Sequence, residues 1–91
     1  MNQVEHFEQI TKEMSSLYAK KNADYGDSFS KSLDKYGIIA ALTRISDKFN
    51  RLESLIVNKN SQVKDERLED TLMDMASYCI MTKMWVDDNS K

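Results

Sequence analysis

The chain has 91 residues, enough for one domain spanning 1–91 and for only a modest core, so association with further copies is an expected route to stability. Its 13 basic and 15 acidic residues leave a net charge of −2, without the basic excess that neutralises a phosphate backbone, so direct nucleic-acid binding is not expected. Charges interrupt every apolar run, so no membrane span or cleavable signal is expected, and the single cysteine, Cys79, has no partner for an internal disulfide; these features point to a soluble protein of a reducing cytoplasm.

A first helix is predicted from Val4 to Lys21, because Phe7, Ile10, Met14, Leu17 and Tyr18 recur at three- and four-residue steps. Lys21 falls on that apolar face one turn beyond Leu17, an unusual place for a surface lysine. His6 has no partner at metal-ligand spacing and reads as a surface residue. The stretch Asn22 to Tyr36 reads as an ordered loop turning at Gly26, tied down by Tyr25, Phe29, Leu33 and Tyr36. Tyr25 or Phe29 could stack on a nucleobase, or both could simply pin the loop to the body. A second helix is predicted from Gly37 to Asn58, with Ile38, Leu42, Ile45, Phe49, Leu52 and Ile56 forming a packing seam. After a polar connector from Asn58 to Lys64, Asp65 is the candidate N-cap of a third helix that runs to about Val86, with a frayed tail beyond. The predicted architecture is all-α: three helices and one long ordered loop, completed by oligomerisation.

The third helix carries the chemistry. Leu68, Leu72, Met75 and Cys79 fill one face, and Met73, Ala76, Tyr78 and Ile80 widen it, leaving a helix apolar almost all round. On the remaining edge Glu66, Asp70 and Asp74 stand one turn apart, while Glu69 points elsewhere. Like charges beside a core need a cation, a proton or a ligand. Mg²⁺ takes one or two protein carboxylates together with water and phosphate oxygens, which suits the pair Asp70 and Asp74. On the second helix Arg44, Lys48 and Arg51 share a stripe beside the seam, with Asp47 one turn from Arg51. These cations could bridge to Asp70 and Asp74 across a helix interface, or hold phosphate oxygens. Cys79, Trp85 and the six methionines read as core and interface filler.

Three ordered motifs, Lys21-x-x-Asp24-Tyr25-Gly26, Arg44-x-x-Asp47-Lys48-x-x-Arg51-Leu52 and Asp70-Thr71-Leu72-x-Asp74-x-x-x-Tyr78, resemble the nucleotide modification associated domain, type 1. That family is common in bacteriophages and their hosts and is similar to the all-α nucleoside triphosphate pyrophosphatases of the MazG type. The resemblance spans Lys21 to Tyr78 and implies a helical, oligomeric, nucleotide-binding protein, in the host cytoplasm if phage-encoded. It implies catalytic roles for Asp70 and Asp74, a Mg²⁺ site drawn from Asp47, Glu66, Asp70 and Asp74, and nucleotide contacts from Lys21, Asp24, Tyr25, Arg44, Lys48 and Arg51. One departure matters. MazG-type enzymes carry a glutamate pair on the earlier helix, where this chain has Asp47 followed by Lys48 and Arg51, and Glu53 faces another side.

Two functions follow from this reading. The first is a Mg²⁺-dependent (deoxy)nucleoside triphosphate pyrophosphohydrolase, in which metal clamps the phosphates and basic residues stabilise the developing charge. The alternative is a protein that captures a nucleotide without hydrolysing it, for example a phage protein sequestering a host signalling nucleotide. A helical adaptor whose acids are neutralised by internal salt bridges is the third reading, without ligand chemistry.

Overall fold

The computed structural model describes residues 1–25, 27–58 and 67–90. They form four helices, α1 (Gln3–Tyr25), α2 (Ser28–Tyr36), α3 (Ile39–Val57) and α4 (Leu68–Asn89), and no strand among the described residues. The all-α expectation holds. No helix among the described residues is long and apolar enough to cross a membrane.

α1 starts at a reciprocal cap. The Glu5 backbone N–H donates to Asn2 Oδ1 at 2.8 Å, and Asn2 Nδ2 donates to Glu5 Oε1 at 2.8 Å. At its other end the helix continues a turn past Lys21, to Tyr25.

The expected loop from Asn22 to Tyr36 is largely helical, since its first residues extend α1 and Ser28–Tyr36 form α2. Phe29, Leu33 and Tyr36 already carry the four- and three-residue steps of an amphipathic helix. Two residues of positive φ bound this element. Asp27, at φ 59°, precedes it, a conformation aspartate tolerates better than most residues. Gly37, at φ 79°, ends it, with its N–H donating to the Leu33 carbonyl at 2.8 Å.

α3 follows at once, its first turn held by the N–H groups of Ala40 and Ala41 on the carbonyls of Gly37 and Ile38. Arg67 is extended and immediately precedes α4. The predicted cap, Asp65, lies outside the described residues. The expected fraying after Val86 is replaced by helix to Asn89, where Lys83 Nζ meets Asp87 Oδ1 at 2.6 Å and Asn89 Nδ2 donates to the Trp85 carbonyl at 2.8 Å.

α3 and α4 pack along each other as the main helix pair, α2 lies against both, and α1 touches α4. Two contacts fix the direction of the pair. Lys48, midway along α3, meets Asp74, whereas Trp85, near the end of α4, donates from Nε1 to Asp34 Oδ1 at 2.9 Å, just ahead of α3. The two helices therefore run antiparallel. α2 is pinned a second time where the Phe29 and Tyr78 rings meet, centroids 5.0 Å apart and planes tilted by 57°. The buried centre consists of Leu33, Ala41, Met14 and Thr71. Thr71 has no exposed surface, and its hydroxyl donates back to the Arg67 carbonyl at 3.4 Å.

Candidate functional site

A cleft of about 170 Å³ opens where α1, the start of α2 and α4 meet. Its walls include Tyr18, Lys21, Phe29, Asp74, Tyr78 and Met81. The placement follows from helical spacing: Tyr18 and Lys21 stand one turn apart on α1, and Asp74, Tyr78 and Met81 recur at four and three residues on α4. The cleft thus brings aromatic and ionic side chains together. Asn22, Ser77, Asp27 and Ser28 add polar atoms around the wall.

Asp74 is the electrostatic centre. Lys48 of α3 reaches its Oδ2 at 3.1 Å, and Lys21 of α1 lies 3.9 Å from its Oδ1. The Lys48 and Asp74 side chains are about three-quarters and two-thirds covered, at 26% and 31% exposure, whereas Lys21 is 57% exposed. Such half-solvated pairs add only about 0–1 kcal/mol each to stability. What they do achieve is placement: two ammonium groups from two helices converge on one carboxylate, and the three side chains together keep a single positive charge. Lys21, on the apolar face of α1, thereby has a partner for its charge in Asp74.

Asp70 has different company. Arg67 Nε donates to its Oδ2 at 3.4 Å, and Arg67 Nη1 lies 3.6 Å from Glu69 Oε2, all on the exposed first turn of α4. The hydrogen bond and charge of Asp70, with Glu69 behind, raise the Arg67 guanidinium above its ordinary value. The two aspartates share a helix edge but have different partners.

The other predicted residues divide. Arg44 and Asp47 are exposed on α3, and Arg51 is half-buried and engaged. Glu66 and the side chains of Asp24 and Tyr25 lie outside the described residues. Among the described residues no three Asp, Glu, His or Cys side chains stand close enough to hold a metal ion. A lone pair of carboxylates one turn apart still fits Mg²⁺ that arrives with its own phosphate oxygens and water, provided that Arg67 releases Asp70. It does not fit a cage built by protein alone.

Tyr18, Asn22 and Ser77 reach the cleft without having been singled out in the sequence. Tyr18 was visible only as one more apolar residue of α1, although its spacing to Lys21 carried the signal. Cys79, expected to pack as a small hydrophobe, is exposed, as are His6 and most of the first half of α1.

No curated protein and no solved structure matches the chain. The family model of nucleotide modification associated domain 1 matches residues 21–85, which begins at Lys21 and takes in Lys48, Asp74 and Tyr78. With most of its length covered, the chain belongs to the nucleotide modification associated domain 1 family.

Proposed function

We propose that the cleft binds a nucleotide, phosphates beside Lys21 and Lys48 and base against Tyr18, Phe29 and Tyr78. The observation that carries this reading is the convergence of Lys21 and Lys48 on Asp74 at the mouth of an aromatic cleft. Ammonium groups are mobile donors that can turn from a carboxylate to a phosphate at little cost. Aromatic faces accept any base by stacking, worth about 1–3 kcal/mol per base. α2 begins at the cleft, so its N-terminal partial positive charge adds to the field of the lysines.

Pyrophosphohydrolysis of a nucleoside triphosphate is the second reading, and what favours it is Asp70 one turn from Asp74. In that reading Asp74 and Asp70 would hold Mg²⁺ carried in with the phosphates, which would polarise a phosphate oxygen. Water would attack the α-phosphorus to form the new P–O bond, and Lys48 and Lys21 would stabilise the charge that develops on the bridging oxygen as it leaves with pyrophosphate. Arg67 would have to give up Asp70 first.

One variant separates these roles. Asp74→Asn keeps shape and removes the charge. Calorimetric titration of nucleoside triphosphates, with and without Mg²⁺, should show the variant binding the metal-free ligand more tightly, because both lysines lose their carboxylate. It should bind the Mg²⁺ complex more weakly. Pyrophosphate release by the parent protein that disappears in Asp74→Asn would establish hydrolysis, and intact ligand recovered after tight binding would exclude it. No binding of any nucleotide by the parent protein would end both readings.

A further inference from the structure

Asp27 stands where a helix cap belongs and does not act as one. An aspartate directly before a helix ordinarily turns its carboxylate onto the free N–H groups of the first turn. Asp27 precedes α2 and makes no side-chain cap bond. Its backbone is left-handed, at φ 59°, and its half-buried side chain lines the cleft with Phe29 and Tyr78. Among the described residues no ion pair or hydrogen bond engages that carboxylate. The half-buried side-chain amide of Asn22 lines the same cleft, also without a partner among the described residues.

What such a carboxylate can hold is narrow. It carries acceptors only, so its partner must bring N–H or O–H groups. Phosphate oxygens are repelled by it and belong with Lys21 and Lys48, which converge on Asp74. Next to Asp27 the wall is aromatic: Phe29 follows two residues on, and its ring meets Tyr78 with centroids 5.0 Å apart. A base stacked on these rings offers its edge to the polar groups around them. Guanine alone has two N–H donors side by side on that edge, N1–H and the 2-amino group, matching the two oxygens of a carboxylate. Adenine and cytosine place an acceptor nitrogen beside the amino group, and uracil and thymine set one N–H between two carbonyls. In each of these the second carboxylate oxygen would face a lone pair. Asn22 does not choose, because an amide presents a donor or an acceptor according to how it turns. Asp27 does.

Resting on the nucleotide-site reading above, we infer that the cleft selects guanine. The Asp27 carboxylate accepts from N1–H and the 2-amino group, and the Asn22 amide donates to O6. The size of the cleft fits this division. Its 170 Å³ lies below the roughly 300–1,000 Å³ of pockets that enclose a whole drug-sized ligand, so it suits a base, with sugar and phosphates left at the mouth.

Calorimetric titration of the full chain with guanosine, inosine and adenosine 5′-triphosphates, free of metal, tests the selection. Hypoxanthine, the base of inosine, keeps N1–H and O6 and lacks only the 2-amino group. The guanosine nucleotide should bind about tenfold more tightly than the inosine one and about a hundredfold more tightly than the adenosine one, as expected for hydrogen bonds to a charged group. Asp27→Asn keeps the shape, and asparagine accepts the left-handed conformation as readily. A side-chain amide can donate to adenine as well as accept from it, so the variant should lose the guanine preference and bind the adenosine nucleotide more tightly than the parent does. Equal affinity of the parent protein for the three bases, or a preference for adenine, would overturn the selection and leave the nucleotide site standing. So would a preference for guanosine over 2′-deoxyguanosine triphosphate that vanishes in Asp27→Asn without any preference among bases, since the carboxylate would then hold the ribose. No binding of any of these nucleotides would remove the site itself, and the selection with it.

Discussion

The two sides of α4 differ in what they meet. On the cleft side Asp74 meets Lys48 and Lys21, Tyr78 meets Phe29, and Trp85 meets Asp34, so the same edge contacts three other helices. On the back side Leu68, Leu72 and Val86 meet solvent in the single chain. One helix thus combines a polar edge satisfied within the chain and an apolar face left unsatisfied. The contrast shows that the charges are placed where three helices converge, and that hydrophobicity alone does not mark the side that holds the site.

The sharpest way to break this contrast is in the core. Leu33 of α2 is 1% exposed and Leu72 of α4 is 48% exposed, so equal truncations should behave differently. Leu33→Ala should cost about 2–5 kcal/mol in urea unfolding, because it opens a cavity beneath α2. Leu72→Ala should cost well under that, and its cost should grow with protein concentration if a second copy covers the back side. Equal and concentration-independent losses would show that the two sides are not distinct.

A second comparison sets Lys48 against Arg67, both cations beside an aspartate of α4. Lys48→Ala should weaken nucleotide affinity by about 1.5–3 kcal/mol, the range of one hydrogen bond to a charged group. Arg67→Ala should leave metal-free binding within error, since Arg67 stands 71% exposed on the first turn of α4, outside the cleft walls. Added salt should weaken the parent's binding, as half-solvated lysines predict. Matching losses from the two alanine variants would move the site toward Asp70.

Much of this was legible beforehand. The apolar spacings of α1, α3 and α4 predict where these helices run, because a 3.6-residue period is written directly in the order of side chains, but not which face the chain itself buries: Phe7, Leu42, Phe49 and Leu72 are exposed, whereas Ala41 and Thr71 are buried. α2 is masked in the sequence although Phe29, Leu33 and Tyr36 have that period, because Gly26 and Gly37 signal turns and nine residues offer few repeats. Lys21 stands out by its place on an apolar face, and Asp74 by its place on an apolar helix. Their union does not, since ladder spacing alone makes Asp70 and Asp74 look equivalent. Only the third dimension separates them: Asp70 stands beside Arg67 at the helix start, whereas Asp74 stands where α1 and α3 both come within reach. The stripe of α3 cations beside the seam points to Lys48 as a partner of Asp74, whereas the contact from Lys21 on a third helix leaves no local trace.

The smallest expected effect tests how α2 is held over the cleft. Phe29 on Tyr78 fixes one end of α2, and the Trp85 indole N–H on Asp34 fixes the other. Trp85→Phe keeps most of the ring's contact area and removes the donor. Asp34 is exposed, so its carboxylate recovers water when the indole is lost, and the cost should stay near 1 kcal/mol rather than that of an orphaned buried group. Asp34→Ala should cost a similar amount, and the double variant little more than either single one, since all three lose the same bond. Urea unfolding of the four proteins measures that coupling. Additive costs would mean that the bond does not hold α2, and that Phe29 on Tyr78 is the contact that sets the cleft wall.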